Sequence, residues 1–247
     1  MKSGITNLDL HIHSCYSINL WGNNIFMPPS RSTPEDIIRS AVKKGITCIG
    51  IMDHDNVAGS LHAAKLAKKY KVVVMPGAEV SSRDGHILAY GIQENITPKL
   101  SAEETVELIK QQGGFAVVAH PFNIGLALNE EIVMKLRKKL LALEVYNGHS
   151  FTNKKVKPFA DRHGFAQVAG SDAHSLSEIG NAYFSINHPI HTPDDIIAAI
   201  KKKKTFPHLV RNASVMFGIV PNALGSFFYW YGKKIQKAIN PKIKLPF

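Results

Sequence analysis

Near its beginning the chain reads Asn7-Leu8-Asp9-Leu10-His11-Ile12-His13-Ser14, an octapeptide with two histidines two residues apart. We interpret residues 7–13 as a β-strand that ends in two histidines. Residues two apart in an extended chain project to the same side, so the imidazoles of His11 and His13 can reach one ion. The octapeptide therefore places two candidate metal ligands at the carboxyl end of a first strand.

Apolar segments alternate with helical patterns along most of the chain. Repeated strand–helix alternation predicts a parallel sheet covered by helices. The number of units favours a closed or nearly closed α/β barrel, with a doubly wound open sheet as the alternative. Helix starts are predicted at Thr33-Pro34-Glu35-Asp36, at Thr192-Pro193-Asp194-Asp195 and at a capping box of Ser101 with Glu104. The predicted strands are residues 7–13, 46–52, 72–80, 86–92, 115–120, 141–146, 165–170 and 183–186.

Positive charge is concentrated at the carboxyl end of the chain. The sequence has 247 residues, 45% of them hydrophobic, which is enough for one full-sized core. Residues 201–247 hold ten of the 30 Lys and Arg residues and no acid, which leaves 20 basic against 19 acidic residues before them. We predict a barrel domain over residues 1–200 and a basic extension over 201–247 that packs on it. Such an extension suits an anionic partner such as nucleic acid, or forms only a solvated face.

Membrane insertion and secretion are not favoured by the sequence. The two cysteines, Cys15 and Cys48, form no disulfide framework, and no signal-peptide pattern is seen, so we expect a cytoplasmic protein. Residues 215–231 are apolar, but Gly and Pro interrupt them, and a membrane span needs about 20 apolar residues. We predict a helix over residues 224–239, capped by Asn222, that packs on the body, with interfacial membrane contact as the less favoured alternative.

Histidines and acids recur at the ends of other predicted strands. Each alone is more often a hydrogen-bonded structural residue than a ligand. A parallel barrel, however, gathers the carboxyl ends of its strands on one rim, so we expect these residues to converge there. They are Asp53, His54, Asp55, Glu79, His120, Asp172 and His174.

The residue types narrow the choice of metal. Neutral imidazole and carboxylate suit zinc, manganese or iron, whereas calcium and magnesium sites use mostly oxygen. More than four candidate ligands imply more than one ion, and a carboxylate such as Glu79 can bridge two. Two neighbouring ions can clamp the attacking and leaving oxygens of a phosphoester displacement.

At these residues the sequence resembles the PHP (polymerase and histidinol phosphatase) family. The resemblance extends over roughly residues 7–187, with the family's motifs in their proper order. It implies an α/β fold of TIM-like type, a distorted barrel of seven β/α units. The motifs are Asp9-Leu10-His11-Ile12-His13-Ser14, Met52-Asp53-His54-Asp55, Pro76-Gly77-Ala78-Glu79-Val80, Gly85-His86-Ile87-Leu88, Ala119-His120-Pro121 and Gly170-Ser171-Asp172-Ala173-His174.

The resemblance also implies two or three divalent ions, of zinc, manganese or iron. Its pattern assigns His11, His13, Glu79 and Asp172 to a first ion, Glu79 with His86 and His120 to a second, and His54 and His174 to a third. The family usually has another third-ion ligand a few residues after the histidine pair, where this chain has Ile18 and Asn19. Occupancy of the third site is therefore left open, as is its completion by a residue from elsewhere.

The favoured function is hydrolysis of a small phosphomonoester by a metal-activated water. We predict that Asp53 orients His54 as its hydrogen-bond partner, and that Asp55 does the same or touches the substrate. A phosphodiesterase or exonuclease that acts on nucleic acid or oligonucleotides is the alternative, which the basic extension supports. A non-catalytic module is a third hypothesis, which the filled ligand positions argue against. Asn147 and His149 follow a strand end and are candidates to line the substrate pocket.

Overall fold

A computed structural model describes residues 4–17, 30–123, 125 and 127–210, which form a mixed α/β fold. The strands are β1 (Thr6–Ile12), β2 (Cys48–Ile51), β3 (Val73–Met75), β4 (Gly77–Ser82), β5 (Gly85–Tyr90), β6 (Phe115–Val118), β7 (Leu140–Asn147), β8 (Gln167–Gly170), β9 (Ala182–Ile186) and β10 (Phe206–Leu209). The helices are α1 (Pro34–Lys43), α2 (Ala58–Tyr70), α3 (Ala102–Gln111), α4 (Glu130–Lys135), α5 (Asn153–His163) and α6 (Pro193–Lys201).

The strands form two five-stranded sheets of mixed direction. Their orders are β10-β9-β1-β2-β3 and β4-β5-β6-β7-β8. The predicted parallel pairing is confirmed for β1-β2-β3 and for β6-β7-β8. It is wrong for β5, which is antiparallel to β4 and β6, and for β9, which is antiparallel to β1 and β10. Short connections explain part of this difference, since a hairpin of two residues joins β4 to β5.

Backbone hydrogen bonds join both edges of the second sheet, at β4 and after β8, to the ends of β1 and β2 in the first sheet. Ile12 at the end of β1 pairs with Ala173, which follows β8, and His54, which follows β2, pairs with Glu79 of β4. The Asp172 N–H donates to the His11 carbonyl at 2.7 Å, and the Glu79 N–H donates to the Asp53 carbonyl at 3.1 Å. The segments that carry the candidate ligands are thus tied together by main-chain bonds.

Proline explains two differences between the predicted and the observed strands. The predicted strand 72–80 divides into β3 and β4 at Pro76, which has no N–H to donate to a ladder. Strand β10 was not predicted, because its four residues include Pro207, and short proline-containing strands occur mainly at sheet edges. The side-chain caps predicted at Thr33, Ser101 and Thr192 are confirmed.

The core contains one cluster to which both sheets contribute. Leu8 and Phe184 of one sheet pack with Leu88, Tyr90 and Val117 of the other, and each is at most 1% exposed. Two further clusters cover the outer faces. One lies under α1 and α2, and the other lies under α3, α4 and α5. The sheets therefore enclose a common apolar interior, to which α6 also contributes Ile196 and Ile200, and the other five helices pack on the two further clusters.

Several predictions concern residues outside the described ranges. These residues are Ile18, Asn19, most of the loop at 20–30 and the extension beyond residue 210, including the helix at 224–239 with Asn222. The division at residue 200 stays a prediction. Among the helices that the structure describes, none combines the length and apolar character required of a membrane span.

Phe184 provides a test of this core. The side chain is fully buried on β9, which pairs with the strand that carries His11. Phe184→Ala should lower the free energy of unfolding by about 3–5 kcal/mol, because it leaves a cavity. Phe206→Ala, on the neighbouring β10 where the ring is 47% exposed, should cost less than about 0.5 kcal/mol. Equal losses in urea unfolding would contradict the described packing.

Candidate metal centre

The eight side chains predicted to bind metal lie together at one end of the two sheets. They come from β1, β4 and β5 and from the residues that follow β1, β2, β6 and β8. His86 stands at the start of its strand, so strand-end reasoning alone would have missed it. Because β5 runs antiparallel to β4 and β6, its amino end lies beside their carboxyl ends. The topology thus accounts for the position of His86.

The carboxylate of Glu79 lies at the centre of this group. The residue is 1% exposed, yet five imidazole nitrogens approach its two oxygens. On the Oε2 side are His11 Nε2 at 3.4 Å, His13 Nε2 at 3.4 Å and His54 Nδ1 at 3.1 Å; on the Oε1 side are His86 Nδ1 and His120 Nε2, each at 3.1 Å. A carboxylate placed between two sets of imidazoles has the position that a bridging metal ligand requires.

Four buried residues form the most complete candidate set of metal ligands. One donor atom from each of His11, His13, Glu79 and Asp172 lies within 4.8 Å of the others. Asp172 Oδ1 is 3.0 Å from His13 Nε2 and 3.5 Å from His11 Nε2. His11 Nε2 is buried and has no hydrogen-bond partner among the described residues, as expected of a nitrogen that binds metal. Two nitrogens and two oxygens fit a divalent ion such as zinc, manganese or iron.

Two further groups overlap this set. His54, Glu79 and His86 form one, and His13, His54 and His174 form the other. His120 lies next to the group of His54, Glu79 and His86, with its Nε2 3.3 Å from His86 Nδ1. His54 is shared by both, whereas the family pattern assigned it to the third ion alone.

Mutual neutralisation sets the charge states of the central residues. Burial raises the pKa of Glu79, but His86 and His54 outweigh burial and hold that pKa well below its usual value. Burial also raises the pKa of Asp172, but His11 and His13 outweigh burial and hold that pKa well below its usual value. Burial lowers the pKa of His13, but hydrogen bonds with Asp172 and Glu79 raise it to about 9. Protons on the histidines therefore balance the carboxylates when no ion is bound.

Two outer histidines behave differently. Burial lowers the pKa of His54 to about 3. The charge of Glu79 raises this pKa, but the charge of His13 lowers it further and burial dominates. Burial and His13 also lower the pKa of His174 to about 4. Both imidazoles are neutral near pH 7, which is the form that binds metal.

Asp53 supports His13 rather than the predicted His54. Its carboxylate accepts hydrogen bonds from the Ser14 N–H at 2.6 Å and from the Ser17 hydroxyl at 2.9 Å. The Ser17 oxygen in turn lies 3.2 Å from His13 Nδ1. A ring proton held on Nδ1 leaves Nε2 of His13, which faces Glu79 and Asp172, as the nitrogen that can exchange its proton for an ion.

Asp55 lies beside the same group. Its Oδ1 accepts a hydrogen bond from the Ser81 N–H at 2.7 Å, and its Oδ2 is buried without a partner in the described chain. Burial raises the pKa of Asp55. Its roles in orienting His54 or touching substrate stay predictions.

Two acidic residues at the site were missed in the sequence. Glu144 lies within the apolar strand β7 and is 1% exposed; an acid inside a buried strand is the signal that could have revealed it. Glu178 accepts hydrogen bonds from the His174 and Ser175 N–H groups at 2.8 and 2.9 Å. Its other oxygen lies 3.7 Å from Nε2 of His149, a candidate pocket residue whose ring centroid is 5.9 Å from that of His174.

Metal binding should release protons. With its pKa at about 9, His13 is protonated near neutral pH, so a divalent ion must displace that proton. We expect manganese binding to release about one proton from this residue, and manganese affinity to weaken as pH falls from 9 toward 6. Calorimetry in buffers of different ionisation enthalpy measures the release. The exposed His62 offers a control, since His62→Ala should not change it; binding without proton release would contradict these charge states.

Comparisons with known proteins show several to which the chain is similar. A family profile described as PHP-associated matches residues 151–205. The chain is 38% identical over 144 residues to an uncharacterized protein, MJ1587, of Methanocaldococcus jannaschii, covering 57% of this chain and 81% of the relative. It is 31% identical over 100 residues to the phosphoribosyl 1,2-cyclic phosphate 1,2-diphosphodiesterase of Eggerthella lenta, covering 38% of this chain and 34% of that enzyme.

A solved structure shares the fold. It is a two-domain protein from Bacteroides vulgatus that contains a predicted PHP-like metal-dependent phosphoesterase, with a TM-score of 0.67 and 14% identity over 89% of this chain and 70% of the other. The ordered motifs, the family profile and the shared fold agree with one another. The chain belongs to the PHP-like metal-dependent phosphoesterase family.

Proposed function

We propose that this protein hydrolyses a small phosphomonoester in a reaction that requires divalent metal ions. The observation that carries the proposal is the buried Glu79 carboxylate between five imidazoles, next to the four-donor set with Asp172. Two or three ions of zinc, manganese or iron would activate water for attack on phosphorus and stabilise charge on the phosphoryl oxygens.

The residues of the chain hold and orient this centre. Glu79 and Asp172 supply the negative charge, and burial keeps bulk water from competing for their oxygens. His54 and His174 offer neutral nitrogens in the group that they form with His13. Asn147, the last residue of β7, and His149, two residues further on, would contribute to the wall of a substrate site.

The two sheets support the finer fold that the family resemblance implies. We propose that they form one distorted barrel of the (β/α)7 type. The bridges Ile12–Ala173 and His54–Glu79 and the shared apolar interior favour this arrangement. A barrel rim would explain why ligands from distant segments meet at one end. The free cysteines Cys15 and Cys48 suit a reducing compartment such as the cytoplasm.

Hydrolysis of phosphodiesters is the second candidate. All four side chains of the run Lys201 to Lys204 are exposed, and the chain continues with further basic residues toward its end. Such charge favours binding to a polyanion, for instance an oligonucleotide. The relative from Eggerthella lenta is named for the cleavage of a cyclic phosphodiester, which fits the same bond type.

Glu79→Gln tests the metal centre directly. Loss of the bridging charge should lower the number of tightly bound ions per chain and reduce phosphatase activity by at least about 100-fold, more than is typical for a residue that only supports a ligand. Bound metal is measured by elemental analysis, and folding by circular dichroism. Glu94→Gln, at an exposed position, serves as the matched control. Unchanged metal content and turnover in Glu79→Gln would reject the proposal.

A substrate comparison separates the two candidates. With manganese or zinc, we expect small phosphomonoesters to be hydrolysed faster than bis-aryl phosphodiesters and short oligonucleotides, with little dependence on salt. A nuclease that uses the basic extension would instead lose activity steeply as salt rises, because released counterions drive polyanion binding. Rapid, salt-sensitive degradation of oligonucleotides would favour the second candidate.

A further inference from the structure

We propose that Glu144 is a positioning residue of the metal centre, which selects the ring nitrogen that His11 presents to metal and holds Asp172 in place through Asn147. The inference rests on the proposed function, since it concerns how that centre is assembled. Nothing in the family motifs points to Glu144, which lies in the middle of β7.

The first contact determines the tautomer of His11. Glu144 Oε1 accepts a hydrogen bond from His11 Nδ1–H at 2.9 Å, and both side chains are at most 1% exposed. With the ring proton on Nδ1, Nε2 is free to bind an ion. That nitrogen faces Glu79 Oε2 at 3.4 Å and has no hydrogen-bond partner in the described chain. Carboxylates paired in this way with metal-binding histidines fix ring orientation and raise ligand basicity.

The second oxygen connects two other ligand segments. Glu144 Oε2 accepts hydrogen bonds from the backbone N–H of His120 at 2.8 Å and from Asn147 Nδ2 at 2.9 Å. The same amide nitrogen donates to Asp172 Oδ2 at 3.2 Å. One carboxylate therefore holds residues that belong to β1 and to the segments after β6 and β8.

The neighbours of Glu144 require an acceptor-only group. Among the described residues, the three groups that reach its oxygens are all N–H donors, from His11, His120 and Asn147. A carboxylate accepts all three, whereas a carboxamide must direct its own NH2 toward at least one of them. Two donors meet at the Oε2 position and one at Oε1, so the carboxamide oxygen should take the Oε2 position and its NH2 should face His11 Nδ1. The ring proton would then be driven to Nε2, the nitrogen that has to bind metal.

Gly170 of β8 provides the space in which Glu144 contacts His11. A Cβ atom at Gly170 would lie 2.6 Å from Glu144 Oε1 and 2.4 Å from the Cβ of His11. Any side chain at this position of β8 would push the two residues apart. The absence of a side chain at 170 thus permits the pairing of Glu144 with His11.

The test uses Glu144→Gln and zinc alone as the probe. Zinc affinity, measured by competition with a chromogenic chelator, should fall about 10- to 100-fold. In the zinc-loaded wild type, NMR should show a slowly exchanging Nδ1–H proton for His11, and this signal should be lost in Glu144→Gln. Glu178→Gln is the matched control, because Glu178 hydrogen-bonds backbone N–H groups of another ligand segment, and it should retain the signal.

A second variant covers the case in which Glu144→Gln does not fold. Asn147→Ala removes the link to Asp172 but not the contact with His11, so zinc affinity should fall while the Nδ1–H signal stays. Wild-type zinc affinity in either variant, or a His11 signal that survives in Glu144→Gln, would overturn the positioning role. A wild type that binds zinc in this way but hydrolyses no phosphoester would overturn the proposed function alone, because zinc affinity is measured without substrate.

Discussion

Burial of the Glu79 carboxylate is the constraint on which the rest of this structure depends. An isolated carboxylate in a protein interior is strongly unfavourable unless opposite charge or hydrogen bonds compensate it. Five imidazoles supply that compensation, and in the metal-free protein the protons of His13 and its neighbours carry the balancing charge. Divalent ions can replace those protons at the same atoms. Protons and metal ions can therefore both neutralise the same buried carboxylates, and only the metal-bound form would serve the proposed hydrolysis.

The topology is arranged around this requirement. Parallel strands deliver residues such as His11 and His120 from their carboxyl ends, and the antiparallel β5 adds His86 from its amino end. Main-chain bonds between the sheets fix the segments on either side, at Asp172 and at Glu79. Ligands that are distant in sequence are thus held by backbone rather than by flexible side-chain contacts alone, which pre-organises the site for metal.

A second layer of buried polar groups supports the ligands. His13 is held by the Ser17 hydroxyl, which Asp53 orients, and His11 is held directly by Glu144. A charged acceptor forms a stronger hydrogen bond than a hydroxyl, so Glu144 has the greater influence on its ring. Membership in the phosphoesterase family accounts for the candidate ligands, whereas this layer explains why His11 and His13 both present Nε2 toward Glu79.

The sequence by itself determined the chemistry of the candidate centre: the types of potential metal ligand, their order along the chain and the strand–helix alternation that brings most of them to one end. Local rules were sufficient there, because caps, strand ends and motifs depend on near neighbours. Only the tertiary structure decided the antiparallel pairing of β5 with β6, the partner of Asp53 and the contacts of Glu144. These depend on which distant strands become adjacent, and adjacency across two sheets is set by long-range packing that leaves no local pattern in the chain.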